Sequence, residues 1–175
     1  DGRMISFVWA DEDEKSAVWG IPVDGGGQRK LAAVDGAGVR SYAWSPDGTT
    51  IWMLAGAEED KARDKQSKAG FNAIVYEEEA KLTRLFSARV GETLDTDPKA
   101  VTIPGYVSAF RVAPDGRHAV VDSAPTPQID DAYTSKRAHI LDLTSGKVLR
   151  VVETLGKLGD IEISPDGTQL SMIAG

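Results

Sequence analysis

The chain has 175 residues, 41% of them hydrophobic and none of them cysteine, and carries a formal net charge of −7 at neutral pH. That length supports a real core, and the lack of cysteine excludes disulfides, thiolate metal sites and cysteine nucleophiles. No basic cluster is present to neutralise phosphates and no run of about 18 apolar residues to cross a bilayer, which argues against nucleic acid as a partner and against membrane insertion.

In chain order, Asp1-Gly2 reads as the tail of a tight turn, and residues 4–9 as a strand. The acidic run Asp11-Glu12-Asp13-Glu14 reads as a solvated hairpin tip, because a calcium loop also needs glycine at a defined spacing. Residues 16–23 form a second strand, the Asp24-Gly25-Gly26-Gly27 segment a turn, and residues 29–31 a third strand. Gly36-Ala37-Gly38 lacks the third glycine of a dinucleotide fingerprint and leads into a strand, so no nucleotide site is read there.

Residues 42–44 and 50–54 read as strands joined by Ser45-Pro46-Asp47-Gly48. Proline presets φ at the first central position of such a turn, aspartate hydrogen-bonds nearby backbone, and glycine takes the left-handed conformation that closes it. Residues 55–69 are polar and charged and read as a surface insertion, with Gly70 an ordinary loop glycine at its edge. Residues 73–76 and 82–86 are predicted as the third and fourth strands of this unit, joined through Glu77-Glu78-Glu79. Residues 90–104 then form a second long connection. The turn recurs as Ala113-Pro114-Asp115-Gly116 between strands 110–112 and 118–121, and as Ser164-Pro165-Asp166-Gly167 between strands 161–163 and 169–173. Strands 139–143 and 148–152, joined by a hairpin at Ser145-Gly146, complete the unit between them.

The turn aspartate stands at positions 1, 47, 115 and 166, at intervals of 46, 68 and 51 residues. A four-stranded propeller blade occupies roughly 40–50 residues, and the 55–69 insertion absorbs the surplus of the middle interval. The expected fold is all-β: a single partial β-propeller domain over 1–175, about three four-stranded antiparallel blades plus one strand. Its periods are placed at about 1–46, 47–114 and 115–165, with the next blade starting at 166. A closed propeller takes about four to eight blades, so the remaining blades are expected elsewhere in a longer parent polypeptide.

The Ser-Pro-Asp-Gly turn, the apolar strand after it and the hairpin that follows resemble the TolB-like propeller repeat. That repeat occurs in periplasmic TolB and in the N-terminal propellers of prolyl oligopeptidase-family serine peptidases of the acylaminoacyl- and dipeptidyl-peptidase types. The run Asp122-Ser123-Ala124-Pro125-Thr126-Pro127, with Asp130-Asp131-Ala132-Tyr133, Lys136-Arg137 and Leu141-Asp142-Leu143-Thr144-Ser145-Gly146-Lys147 after it, is similar to a blade of the bacterial peptidase propellers. The resemblance implies a non-catalytic segment that gates or positions peptide substrates. Its implied partners are the remaining blades and a C-terminal α/β-hydrolase domain. The alternative it leaves open is a free-standing interaction propeller of the cell envelope. Cytoplasm and periplasm both remain possible compartments.

No catalytic, cofactor or metal residue is assigned. No glycine is followed two residues later by serine, as a nucleophile elbow needs. His118 and His139 fall in predicted strands without a nucleophile partner and read as structural. Trp9, Trp19, Trp44 and Trp52 read as packing between blades, with a carbohydrate platform as the alternative. The residues singled out are the repeat-defining turns: Pro46, Asp47, Gly48, Pro114, Asp115, Gly116, Pro165, Asp166 and Gly167.

Overall fold

The computed structural model describes residues 2–10, 15–56, 61–73, 82–95, 97–154 and 157–175. The expectations at Asp1, Asp11–Glu14, residues 74–76 and Glu77–Glu79 lie outside the described residues. Among the described residues, four antiparallel sheets follow one another along the chain. The first holds β1 (Met4–Trp9), β2 (Ala17–Pro22) and β3 (Arg29–Ala32) in that order. The second holds β4 (Val39–Trp44), β5 (Thr50–Gly56), β6 (Thr83–Arg89) and β7 (Lys99–Ala100). In the third are β8 (Tyr106–Val112), β9 (His118–Ala124), β10 (Arg137–Asp142) and β11 (Lys147–Val152), and in the fourth β12 (Leu158–Ile163) and β13 (Leu170–Ala174). Every strand pairs with its neighbour in sequence, as short hairpin connections dictate.

Each Pro-Asp-Gly turn joins the first two strands of a sheet, so it lies inside a sheet and not between two. The glycine N–H closes it, Gly48 on Ser45 O at 2.8 Å, Gly116 on Ala113 O at 2.9 Å and Gly167 on Ser164 O at 2.8 Å. All three glycines adopt positive φ, 70°, 67° and 71°.

The sheets stack face to face, which explains their side-chain patterns. A strand's side chains alternate between faces, and β5 has a sheet on each side. Ile51, Met53 and Ala55 pack toward the first sheet with Val18, Leu31 and Val39, and Trp52 and Leu54 pack toward the third with Leu85, Phe110, Val121 and Leu141. A third layer, with Val120, Ala138, Leu158 and Ile161, joins the third and fourth sheets. The second strand of a sheet is therefore buried along almost its whole length, and β5 and β9 read as continuous apolar runs where the outer strands alternate.

Three expectations are corrected. The strand predicted at 82–86 pairs directly with β5, Leu54 facing Leu85, and is the third strand of its sheet instead of the fourth. The fourth is β7, inside the stretch read as a long connection, pairing Phe86 with Ala100. That stretch is pinned down by Asp95, whose carboxylate accepts the N–H groups of Arg89 (2.9 Å) and Asp97 (3.0 Å), and by Arg29, which donates to Gly91 O at 2.8 Å. The charged insertion holds a helix, α1 (Lys61–Lys68), and Gly70 ends it at φ 94°, with Phe71 N–H returning to Gln66 O at 3.0 Å. Gly70 is a helix terminator with a left-handed requirement of its own. A second helix, α2 (Ile129–Thr134), interrupts the β9–β10 connection.

Candidate functional site

The first strands of successive sheets, β4, β8 and β12, lie side by side and form one edge of the stack. Between β4 and β8 opens a recess of about 340 Å³, walled by residues 41–44 on one side and 108–112 on the other. Its β4 wall is held from behind. Tyr42 Oη and Trp44 Nε1 both donate to Ser6 Oγ of β1, each at 2.9 Å, which fixes two aromatic side chains with one hydroxyl. Outside the recess, Arg40 Nη1 of β4 donates to Tyr106 Oη of β8 at 3.3 Å. Between β8 and β12, Arg111 Nε meets Glu162 Oε1 at 3.5 Å. Beneath this pair a void of about 20 Å³ is bounded by Ala109, Arg111, Asp122, Asp160 and Ile161. Asp122 is 7% exposed, and burial pushes its carboxyl up to about 6. Asp160 raises it further, against the lowering influence of Lys136 and Arg111.

The repeat turns form a separate structural feature. Asp47 accepts from Ser45 Oγ (2.5 Å) and from the N–H (3.1 Å) and hydroxyl (2.9 Å) of Thr49. Asp166 does the same with Ser164 (2.5 Å) and Thr168 (3.0 and 2.9 Å). These bonds, the serine hydroxyl's first, hold both carboxyls below the usual range, Asp166 at about 2. In the middle turn Ala113 replaces the serine, and His118 Nδ1 takes its place beside Asp115 Oδ2 at 2.6 Å. That bond is the main reason Asp115 is lowered to about 2. Arg117, standing where the other turns have threonine, reaches Asp142 Oδ2 at 2.9 Å. Asp142 also accepts Ser145 N–H at 2.8 Å, and the two contacts lower it to about 2. Each turn aspartate is thus bonded to both side-chain and backbone groups of its own hairpin.

His139 lies on β10 opposite Val121, and burial lowers its pKa. Gly36-Ala37-Gly38 makes the passage from the first sheet to the second, with a Cβ at Gly38 only 2.9 Å from Ser16 Oγ. Trp52 is core between the second and third sheets, and Trp44 packs on the opposite face, against the layer between the first and second sheets. Trp9 and Trp19 meet edge to face at 5.1 Å and 75°, a geometry unlike a flat stacking platform. Among the described residues no set of three or more His, Asp or Glu side chains is placed to hold a metal. In the sequence Asp122 and Asp142 stand only within the run that resembles a peptidase-propeller blade, and Ser6 only within a strand, none of them with a site role. Only Asp142 carried a signal, as the acidic residue three positions before the Ser-Gly of a hairpin.

No family model and no curated protein matches the chain in sequence. Solved structures do match in shape. TolB from Agrobacterium tumefaciens superimposes with a TM-score of 0.63 at 18% identity, over 100% of this chain and 51% of that one. The β-propeller domain of the Trilobed protease from Pyrococcus furiosus gives 0.52 at 14% identity, over 88% and 40%. The fold is a β-propeller. A puromycin-hydrolyzing peptidase from Mycobacterium tuberculosis matches at 0.54 and 13% identity, over 91% of this chain and 25% of that one. The chain thus spans a quarter to about half of the lengths it matches. Propeller blades surround a central channel, and the first strands β4, β8 and β12, which form one edge of the stack, are termed the axial strands.

Proposed function

We propose that this segment is a non-catalytic part of a propeller that gates or positions peptide substrates for a serine peptidase domain carried elsewhere in the same polypeptide. The observation that carries this reading is the recess between β4 and β8. It is about 340 Å³ in volume, open, and lined by serines, aromatics and an arginine. Such a groove takes an extended chain through backbone hydrogen bonds and side-chain pockets, as an edge strand does, and is too narrow for a folded domain. The likeness to peptidase propellers supports it at the level of fold. A second reading, a free-standing TolB-type interaction propeller, is favoured by the likeness to the TolB structure.

A fluorophosphonate probe separates the two. Applied to the native polypeptide that carries this segment, it is expected to label one serine outside residues 1–175. A labelled serine inside 1–175 overturns the non-catalytic assignment. A polypeptide without any reactive serine overturns the peptidase reading in favour of the TolB-type one.

A further inference from the structure

The buried carboxylate of Asp122 is in an unusual position. It lies on the face of β9 that carries Val120, directed at the fourth sheet, and borders the void of about 20 Å³ beneath Arg111 and Asp160. Its side chain has no hydrogen-bond partner among the described residues. The contact recorded at Asp122 runs from Ser108 Oγ to its backbone carbonyl. A buried ionised carboxylate without partners is strongly disfavoured. Two cations act on it through space, Lys136 more strongly than Arg111, and neither bonds to it: Arg111 directs Nε to Glu162 at 3.5 Å and Nη1 to Phe110 O at 3.0 Å. The void is large enough for one water-sized group, since roughly 10–15 Å³ of such volume suffices. Asp160, exposed on β12, stands at its border as a second carboxylate.

We propose that this cleft binds a single primary ammonium group, presented by a peptide lying along the axial strands. This rests on the reading that peptides occupy that edge. An ammonium has the size of a water molecule, donates several hydrogen bonds and supplies the charge that Asp122 lacks. A guanidinium, planar and several heavy atoms across, does not fit the volume. The charged groups facing the cleft are Arg111 from β8, Asp160 and Glu162 from β12, and Lys136 ahead of β10. Their mixed signs leave the ligand charge to be met by Asp122 and Asp160. Binding should weaken as acidification protonates Asp122.

The test follows the Asp122 carboxyl carbon by nuclear magnetic resonance while methylammonium is added at neutral pH. Methylammonium is expected to shift that signal saturably and to lower its titration midpoint, with tetramethylammonium and guanidinium at least about tenfold weaker. Asp122→Asn should weaken methylammonium by at least about tenfold, and Asp160→Asn by roughly threefold, with the amide spectra of both variants otherwise retained. Nα-acetyl-lysinamide and alaninamide then tell a lysine side chain from a peptide amino terminus. No saturable shift with methylammonium, or unchanged affinity in Asp122→Asn, overturns the pocket. If uncharged peptides still perturb β4 and β8 in that case, the peptide reading of the recess survives alone. Methylammonium binding with no peptide binding overturns the peptide origin of the amine.

Discussion

A Cβ placed on Gly116 would lie 3.3 Å from Cδ of Pro46, the proline of the preceding repeat turn. Gly167 stands in the same relation to Pro114, at 3.9 Å. Successive turns therefore nest, each glycine lying over the ring of the proline one blade back. The turn does two jobs: it closes its own hairpin and sets the spacing to the next sheet.

Gly116→Val should lower stability by more than about 1 kcal/mol, since a β-branched residue is the worst fit at positive φ and must also displace Pro46. Gly70 is no control, because it too has positive φ. Gly27 is the better one: it is open on all sides and free of that backbone demand. Gly27→Val should change stability by less than about 0.5 kcal/mol. Equal shifts of the urea midpoint for the two variants would contradict the nesting.

The repeat was legible because its turn chemistry is confined to four residues and its strands alternate. β7 was not, since two residues carry no period. Nor was α1: Lys61–Lys68 holds helix-forming residues but no apolar stripe, and a charged run reads as loop when periodicity is the signal. The order of strands in the second sheet was misread for a related reason. With a long insertion between β5 and β6, the sequence offered no way to count strands across it. Asp122 was hidden by its neighbours. In Val120-Val121-Asp122-Ser123 an aspartate reads as the solvent side of a strand, and only stacking on both faces of β9 buries it.

Core packing between blades gives a direct energetic test. Leu85 is fully buried between the second and third sheets, among Leu54, Val107 and Leu141. Leu85→Ala should cost about 2–5 kcal/mol through lost burial and the cavity left behind. Denaturant unfolding with an unchanged slope checks it, and a loss below about 1 kcal/mol would mean that the sheets do not stack as described.

Stability should pass through a maximum in mildly acid solution. Asp115, Asp142 and Asp166 are lowered from 3.8 to about 2. Their contribution is complete above the unfolded value and is lost as pH falls from about 4 toward 2. Asp122 acts in the opposite sense. Its folded value of about 6 exceeds the unfolded 3.8. The folded state therefore binds more protons between those values, and stability rises as pH falls through that window. Asp122→Asn should remove that rise and stabilise the chain at pH 7 by roughly 1–3 kcal/mol. Thermal unfolding across the pH range reads both limbs. A variant with an unaltered profile would show that Asp122 titrates like an exposed carboxylate.

Proteolysis should begin at α1. Lys65 and Lys68 are exposed, and a helix of eight residues without an apolar face gains little from packing. Brief trypsin treatment followed by mass spectrometry is expected to show first cuts at these lysines. First cuts in β5, β9 or β10 would contradict the burial assigned to those strands.

The most direct test of the account is amide chemical-shift mapping of the segment against an unstructured peptide and a folded protein of similar composition. The expected result is that the peptide shifts residues 41–44 and 108–112 and the folded protein leaves them unmoved. A peptide without effect on these strands, or a folded protein that shifts them as strongly, would contradict a propeller that admits peptides along its axial edge.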